Sequence, residues 1–311
     1  MSRRRGLRLA LALAVALVGC RANAPQPVVE PSAPAPERLV DLDRLMADVT
    51  ALADDAYEGR RAGTPGGARA ADYVERRFRE VGLEGAFDGR FRQPVALPQG
   101  GEGINVVGQV VGTVFPQQAL LVTAHFDHLG VRAGRVYNGA DDNASGVAAL
   151  LAVAEALRSD PPEHTVVVAA LDAEEVGLVG ARALADAPPL PLGAVLAVVN
   201  LDMVSRGPLW AAGTAHHPHL GVLLRDAGLD LRYGHDTGSG SDNWTGASDH
   251  AAFHRLGVPF VYLGVEDHAD YHEPTDDADR IDPDTFGRAA DTILRAVRVL
   301  DGSHVALVEG R

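Results

Sequence analysis

Four apolar runs, each ending in acids or histidines, constrain the fold of this 311-residue chain most tightly. They read "ALLVTAHFDH" (119–128), "TVVVAALDAEE" (165–175), "AVLAVVNLD" (194–202) and "VPFVYLGVEDHADYH" (258–272). An unbroken apolar run of strand length suits a strand buried on both faces, and such strands need helices on both sides of their sheet. The expected strands are 119–124, 165–171, 194–201 and 259–263. Helix-like segments fall at 144–158, 177–187, 220–227, 250–256 and 283–300. Two helices precede the set, at 40–54 and 65–81. For the second, Thr64 can cap the start, Pro65 suits the first turn and Gly82 closes the end. β-like segments at 90–97 and 104–114 follow, the latter expected as an antiparallel edge hairpin. The pattern predicts one α/β domain over 39–307, with a mostly parallel central sheet and helices on both faces.

The first 38 residues read differently. Arg3, Arg4, Arg5 and Arg8 precede an apolar run at 9–19, too short to span a membrane, and Cys20 follows. "LVGC" at 17–20 resembles a bacterial lipobox, in which the cysteine is lipidated and becomes the mature N-terminus. Residues 1–20 are therefore expected to be an export signal, with a weaker twin-arginine hint in Ser2-Arg3-Arg4. Residues 21–38, rich in Pro and Ala, are expected to be a tether that holds the domain at a membrane through the Cys20 lipid. The resulting localisation is the cell envelope, facing the periplasm or the outside.

Cys20 is the only cysteine, so any metal in the domain must be held by histidines and carboxylates. The formal net charge is −14, and every basic side chain apart from histidine is Arg. Such acidity argues against nucleic acid as a partner, because binding it requires a basic face.

Ligands of open α/β sheets bind at the carboxyl ends of the strands. The four runs deliver His125 and Asp127, Glu174 and Glu175, Asp202, and His272 to that edge. A fifth segment, "NGADDNASG" (138–146), adds Asp141 and Asp142 before a helix, among small residues that let the backbone approach closely. Two histidines with several carboxylates form an N/O donor set suited to zinc, with cobalt or manganese as alternatives. Asp127, two residues after His125, can fix the imidazole tautomer. His268 competes with His272 for a place in this set.

The ordered set His125-x-Asp127, Asp141-Asp142, Glu174-Glu175, Asp202 and Tyr271-His272 resembles the M28 family of di-zinc aminopeptidases. "GRRAGTPG" (59–66) and "SDHAAFHRLGVPFVYL" (248–263) resemble further stretches of that family. The resemblance implies a phosphorylase/hydrolase-like zinc exopeptidase fold and two zinc ions. Asp141 would bridge them, His125 and Asp202 would complete one site, and Glu175 and His272 the other. Glu174 would be the general base, Asp127 would orient His125, and Tyr271 would bond the oxyanion. Asp276 would support the ligands from behind, and the Asp141–Asp142 peptide is expected to be cis. Substrates would be peptides with a free N-terminus. The loop 236–249, which carries Trp244, is a candidate pocket wall. Other readings on the same fold are a carboxypeptidase or amidase, a glutaminyl-cyclase-like transferase, and a receptor-like ectodomain without chemistry.

Overall fold

The computed structural model describes residues 38–310. The expected signal segment and nearly all of the tether lie outside them. Within the compact unit Arg38–Arg311, the strands are β1 (Glu84–Gly85), β2 (Arg92–Ala96), β3 (Glu102–Val110), β4 (Phe115–His125), β5 (Gly130–Arg132), β6 (Arg135–Tyr137), β7 (His164–Leu171), β8 (Val195–Asp202), β9 (Trp210–Ala212), β10 (Arg232–Tyr233) and β11 (Phe260–Gly264). The helices are α1 (Leu42–Leu52), α2 (Pro65–Val81), α3 (Gly146–Ser159), α4 (Val179–Asp186), α5 (Pro218–Asp226), α6 (His250–His254), α7 (Pro283–Asp301) and α8 (His304–Glu309).

The main sheet runs β1-β3-β7-β4-β8-β11-β9-β10, with β2 also paired to β3. Its centre, β7-β4-β8-β11, is parallel. Every residue of β7 and β8 is buried. Because side chains alternate along a strand, Val166, Val168 and Ala170 enter one core while Val167, Ala169 and Leu171 enter the other. Helices α1, α2, α3, α5 and α7 close the first face, and α4 and α6 the second. The registers His125↔Leu171, Thr123↔Asn200 and Gly264↔Asp202 put the strand ends side by side. Everything that follows these ends therefore emerges at one edge.

The expected hairpin within 104–114 is corrected. Segment 102–110 is the single strand β3, paired antiparallel with both β2 and β7. The turn comes earlier, where Gly100 and Gly101 take φ of 88° and 87°, a conformation that glycine adopts without penalty. β3 itself holds Val106, Val107 and Val110 in the core and has no reason to fold back. Helix α2 begins and ends at the expected caps: Thr64 Oγ1 accepts from the Gly67 N–H at 3.3 Å, and Gly82 is left-handed at φ 82°.

One buried ion pair ties the first three helices together. The Arg77 guanidinium on α2 donates to both oxygens of Asp48 on α1, at 2.7 and 3.0 Å, and to Glu155 on α3 at 2.8 Å. Tyr73 also donates to Asp48, at 2.5 Å. Removing one partner strands the other charge in a low-dielectric core, which typically costs about 3–5 kcal/mol. Asp48→Ala is expected to lower the unfolding free energy by about that amount in a urea titration, and an unchanged midpoint would contradict the role given to the pair.

Candidate metal centre

His125 closes β4 and is buried. Its Nδ1 lies 3.1 Å from the Asp127 backbone carbonyl and 3.6 Å from the Asp127 carboxylate. With Nδ1–H donating there, Nε2 is free to face Asp202 Oδ1 at 3.3 Å and Asp142 Oδ1 at 3.4 Å. Burial pushes the imidazole down, but Asp202 and Glu174 outweigh it and hold its pKa well above the usual range. Asp127 does more than face this ring: its carboxylate accepts from the backbone N–H of Glu174 at 2.9 Å and of Glu175 at 3.3 Å. It thereby fixes the segment that carries both glutamates.

The assignment of the paired aspartates is corrected. Asp142, not Asp141, stands between the two ligand groups. After Gly139 the chain makes an irregular wide turn over Ala140–Ser145, in which Asp142 (φ −103°, ψ 92°) and Asn143 leave helical dihedrals. Neighbouring side chains then diverge. Asp141 turns away and accepts from Ser205 N–H and Oγ (2.9 and 2.6 Å) and from Ser145 Oγ (3.1 Å). His268, the rival histidine, approaches the same carboxylate at 3.1 Å. The cis peptide bond is likewise one residue on, at Asp142–Asn143. Asp276 supports the turn by accepting from the backbone N–H groups of Asp141 and Asp142, at 3.0 and 3.1 Å.

The second group forms on the other oxygen of Asp142. His272 Nε2 lies 3.1 Å from Asp142 Oδ2 and 3.5 Å from Glu175 Oε1. His128, a residue that the spacing argument passed over, places Nδ1 2.9 Å from Glu175 Oε1 and 3.6 Å from Asp142 Oδ2. Burial pushes Glu175 up, yet the two imidazoles overcome it and hold the carboxyl well below the usual range. Burial likewise lowers His272, and Asp142 and Glu175 reverse this to about 10. Glu174 behaves oppositely. Burial raises it, His125 offsets only part, and Asp249, Asp202 and Asp127 raise it further. His125, Asp142, Asp202, Glu175 and His272, with Glu174, Met203, Trp244 and Tyr271, line one pocket. Trp244 comes from the expected wall loop and stacks flat on His235 at 3.8 Å.

Arg60 lies beneath the site and was also passed over. Its guanidinium is wholly buried and donates to the carbonyls of Leu52 (2.7 Å), Phe126 (2.7 Å), Asn138 (2.5 Å) and Gly139 (2.8 Å). The two loops that bear His125, His128 and Asp142 are thus clamped from below. Only the "GRRAGTPG" stretch pointed toward it, and a basic residue in a loop reads first as solvated.

The residues fit a pair of cations. His125, Asp142 and Asp202 present ligand atoms within reach of one ion, and His128, Asp142 and Glu175 do so for another. Buried His128 Nδ1, His128 Nε2 and Glu175 Oε1 make no hydrogen bond in spite of the close approach. Co-ligands aim their lone pairs at a common centre and so meet one another at poor hydrogen-bond angles. Imidazole and carboxylate without thiolate is a borderline-hard donor set that suits zinc.

The chain is similar to aminopeptidase YwaD of Bacillus subtilis, at 29% identity over 191 residues, covering 57% of this chain and 40% of that protein. It spans less than two thirds of the length of the curated relatives it matches first. Among solved structures, a zinc-dependent exopeptidase from Parabacteroides distasonis aligns with a TM-score of 0.65 at 19% identity, covering 83% of this chain and 98% of that one. A glutaminyl cyclase from Porphyromonas gingivalis aligns with a TM-score of 0.68 at 18% identity, covering 84% and 99%. At such identities the likeness shows the α/β zinc-exopeptidase fold. The sequence model of peptidase family M28 matches residues 105–297, from β3 to α7 and across every ligand discussed above. The chain belongs to peptidase family M28.

Proposed function

We propose that this chain is a two-metal aminopeptidase that hydrolyses the first peptide bond of peptides with a free N-terminus. The observation that carries the reading is the shared carboxylate of Asp142, with Oδ1 turned to His125 and Oδ2 to His272 and His128. His125, Asp142 and Asp202 would hold one zinc, and Asp142, Glu175 and His272 the other, with cobalt or manganese as substitutes. Bound there, the ions would polarise the scissile carbonyl and acidify a water. Glu174 takes the proton of the attacking water and delivers one to the departing amine nitrogen. A carboxyl held above its ordinary pKa suits both duties, because it takes up a proton more readily than an ordinary glutamate. Asp127 keeps Glu174 in place through the backbone. Tyr271, stacked on His272 at 4.0 Å, donates its phenolic hydrogen to the carbonyl oxygen as charge builds there. The free amine of the substrate sits toward Asp267, the pocket carboxylate without another task, and its side chain lies against Met203, Trp244 and Val265. That wall favours apolar N-terminal residues.

The fold is shared with glutaminyl cyclases, so a panel of substrates is the deciding experiment. Aminoacyl p-nitroanilides should be hydrolysed, and N-blocked, C-terminal-only and glutaminyl-cyclisation substrates should not. A chelator should abolish the activity and zinc restore it, and a chelator-insensitive rate would refute the metal reading. Glu174→Gln keeps the shape and loses the base. It should retain both ions and lose at least about 100-fold in kcat, the lower end of what a general base contributes.

We further propose that the chain is an exported lipoprotein anchored through Cys20. Labelled palmitate should enter the wild-type chain and not the Cys20→Ala variant, and equal labelling of the two would exclude the anchor.

A further inference from the structure

His128 has no role in the mechanism above, yet its imidazole is tightly enclosed beside the site. It is 1% exposed, and neither ring nitrogen makes a hydrogen bond. A buried imidazole without a partner loses its water contacts and gains nothing in return. Its surroundings hold it there nonetheless. Gly139 admits the ring, because a Cβ at that position would come within 2.5 Å of His128 Cγ and Cδ2. Arg60 grips the chain on both sides of this packing, at Phe126 O (2.7 Å) and at Gly139 O (2.8 Å). The His272 ring closes the other side edge-on, with centroids 5.8 Å apart.

Four atoms meet in front of the ring: His128 Nδ1, His272 Nε2, Asp142 Oδ2 and Glu175 Oε1. Their neighbouring separations are 2.9, 3.1, 3.5 and 3.6 Å. Ligand atoms about 2.1 Å from a zinc ion in a tetrahedron stand about 3.4 Å apart, and these four imidazole–carboxylate separations lie around that value, with His128, Asp142 and Glu175 mutually within reach of one ion. The other group, His125 Nε2 with Asp142 Oδ1 and Asp202 Oδ1, has three protein ligands.

Resting on the two-metal reading above, we propose that His128 is a further protein ligand, through Nδ1, of the ion held by Asp142, Glu175 and His272. The two sites are then unequal. An additional protein ligand holds its ion more tightly, whereas three leave a position fully open for water or substrate. The His128 site fills first and stays filled, and the His125 site is the exchangeable one. Coordination also satisfies one of the two unpaired nitrogens of His128.

The test is zinc titration of the full chain, freed of metal, against a competing chromophoric chelator. The wild type should bind two ions with separable affinities. His128→Ala should weaken the tighter site by more than about 100-fold, the upper end of the loss for a partner outside the coordination shell, and leave the weaker site within a few-fold. A wild type that binds two ions and a variant with both affinities unchanged would overturn the role of His128 and leave the two-metal reading standing. A wild type that binds no zinc would overturn both. Should His128→Ala fail to fold, His128→Asn and X-ray absorption of the wild type with one equivalent of zinc decide the matter. Two imidazoles per zinc are expected, and one imidazole per zinc would refute the proposal, because each group without His128 contains a single histidine.

Discussion

Negative charge buried at the carboxyl edge of the sheet is the constraint around which the rest of the molecule is arranged. Asp127, Asp141, Asp142, Asp202, Asp249 and Asp276 are all buried there, beside the partly buried Glu174 and Glu175. Like charges at such depth repel strongly, and each also loses hydration. Burial, with help from Asp127 and Asp202 and against His125, lifts Asp249 to about 7 and, with help from Asp141, Asp276 to about 6. Donors and imidazoles reach most of these carboxylates. Backbone N–H groups serve Asp127, Asp141 and Asp276, and imidazoles serve Asp142, Glu175 and Asp202. Arg60 adds a full positive charge from below. Burial lowers its guanidinium only to about 10, so it stays charged at neutral pH, supported by Asp142, Asp276, Asp127 and Glu175.

The same constraint explains the backbone around the site. Ala173, Met203 and His272 adopt positive φ of 62°, 54° and 55° although none is glycine. Each adjoins a group of the site: Ala173 precedes Glu174, Met203 follows Asp202, and His272 is itself in the second group. A left-handed turn directly after a strand re-aims the chain within one residue, which a regular continuation could not do. Each such residue costs on the order of 1–3 kcal/mol unless its surroundings hold it. Here the holding contacts are visible, in the Asp127 bonds to the glutamate segment and in Asn143 Oδ1, which accepts from Met203 N–H at 3.2 Å. The strain is therefore fixed by the same polar network that gathers the ligands.

This physics divides what the sequence discloses from what it conceals. The apolar runs were readable because burial on both faces leaves no polar alternation, and the strand ends follow from them. His125, Glu175, Asp202 and His272 accordingly converge where the runs predicted. The choice between Asp141 and Asp142 was not readable, because it depends on dihedral angles in an irregular turn that no composition signals. His128 was hidden for another reason. It follows Asp127 in a loop, and only the fold brings Gly139 and Glu175 against it. Arg60 was hidden because a buried guanidinium satisfied by carbonyls leaves no acidic partner to find in the sequence. The edge hairpin was misplaced by a few residues, since a run such as "INVVGQVVGTV" has no strong punctuation until Gly112.

Two adjacent acidic pairs, Asp141-Asp142 and Glu174-Glu175, now appear as one device used twice. Side by side in sequence, the two carboxylates of each pair are directed to different partners. In each pair one member joins the shared ligand group and the other takes a separate task. Asp142 lies between the histidines while Asp141 ties Ser205 and Ser145 behind it. Glu175 faces His128 and His272 and is held strongly anionic, whereas Glu174, opposed by His125 alone and crowded by Asp249, Asp202 and Asp127, is pushed the other way. Opposite pKa shifts on neighbouring residues follow from which cations each can reach, without any difference in residue type.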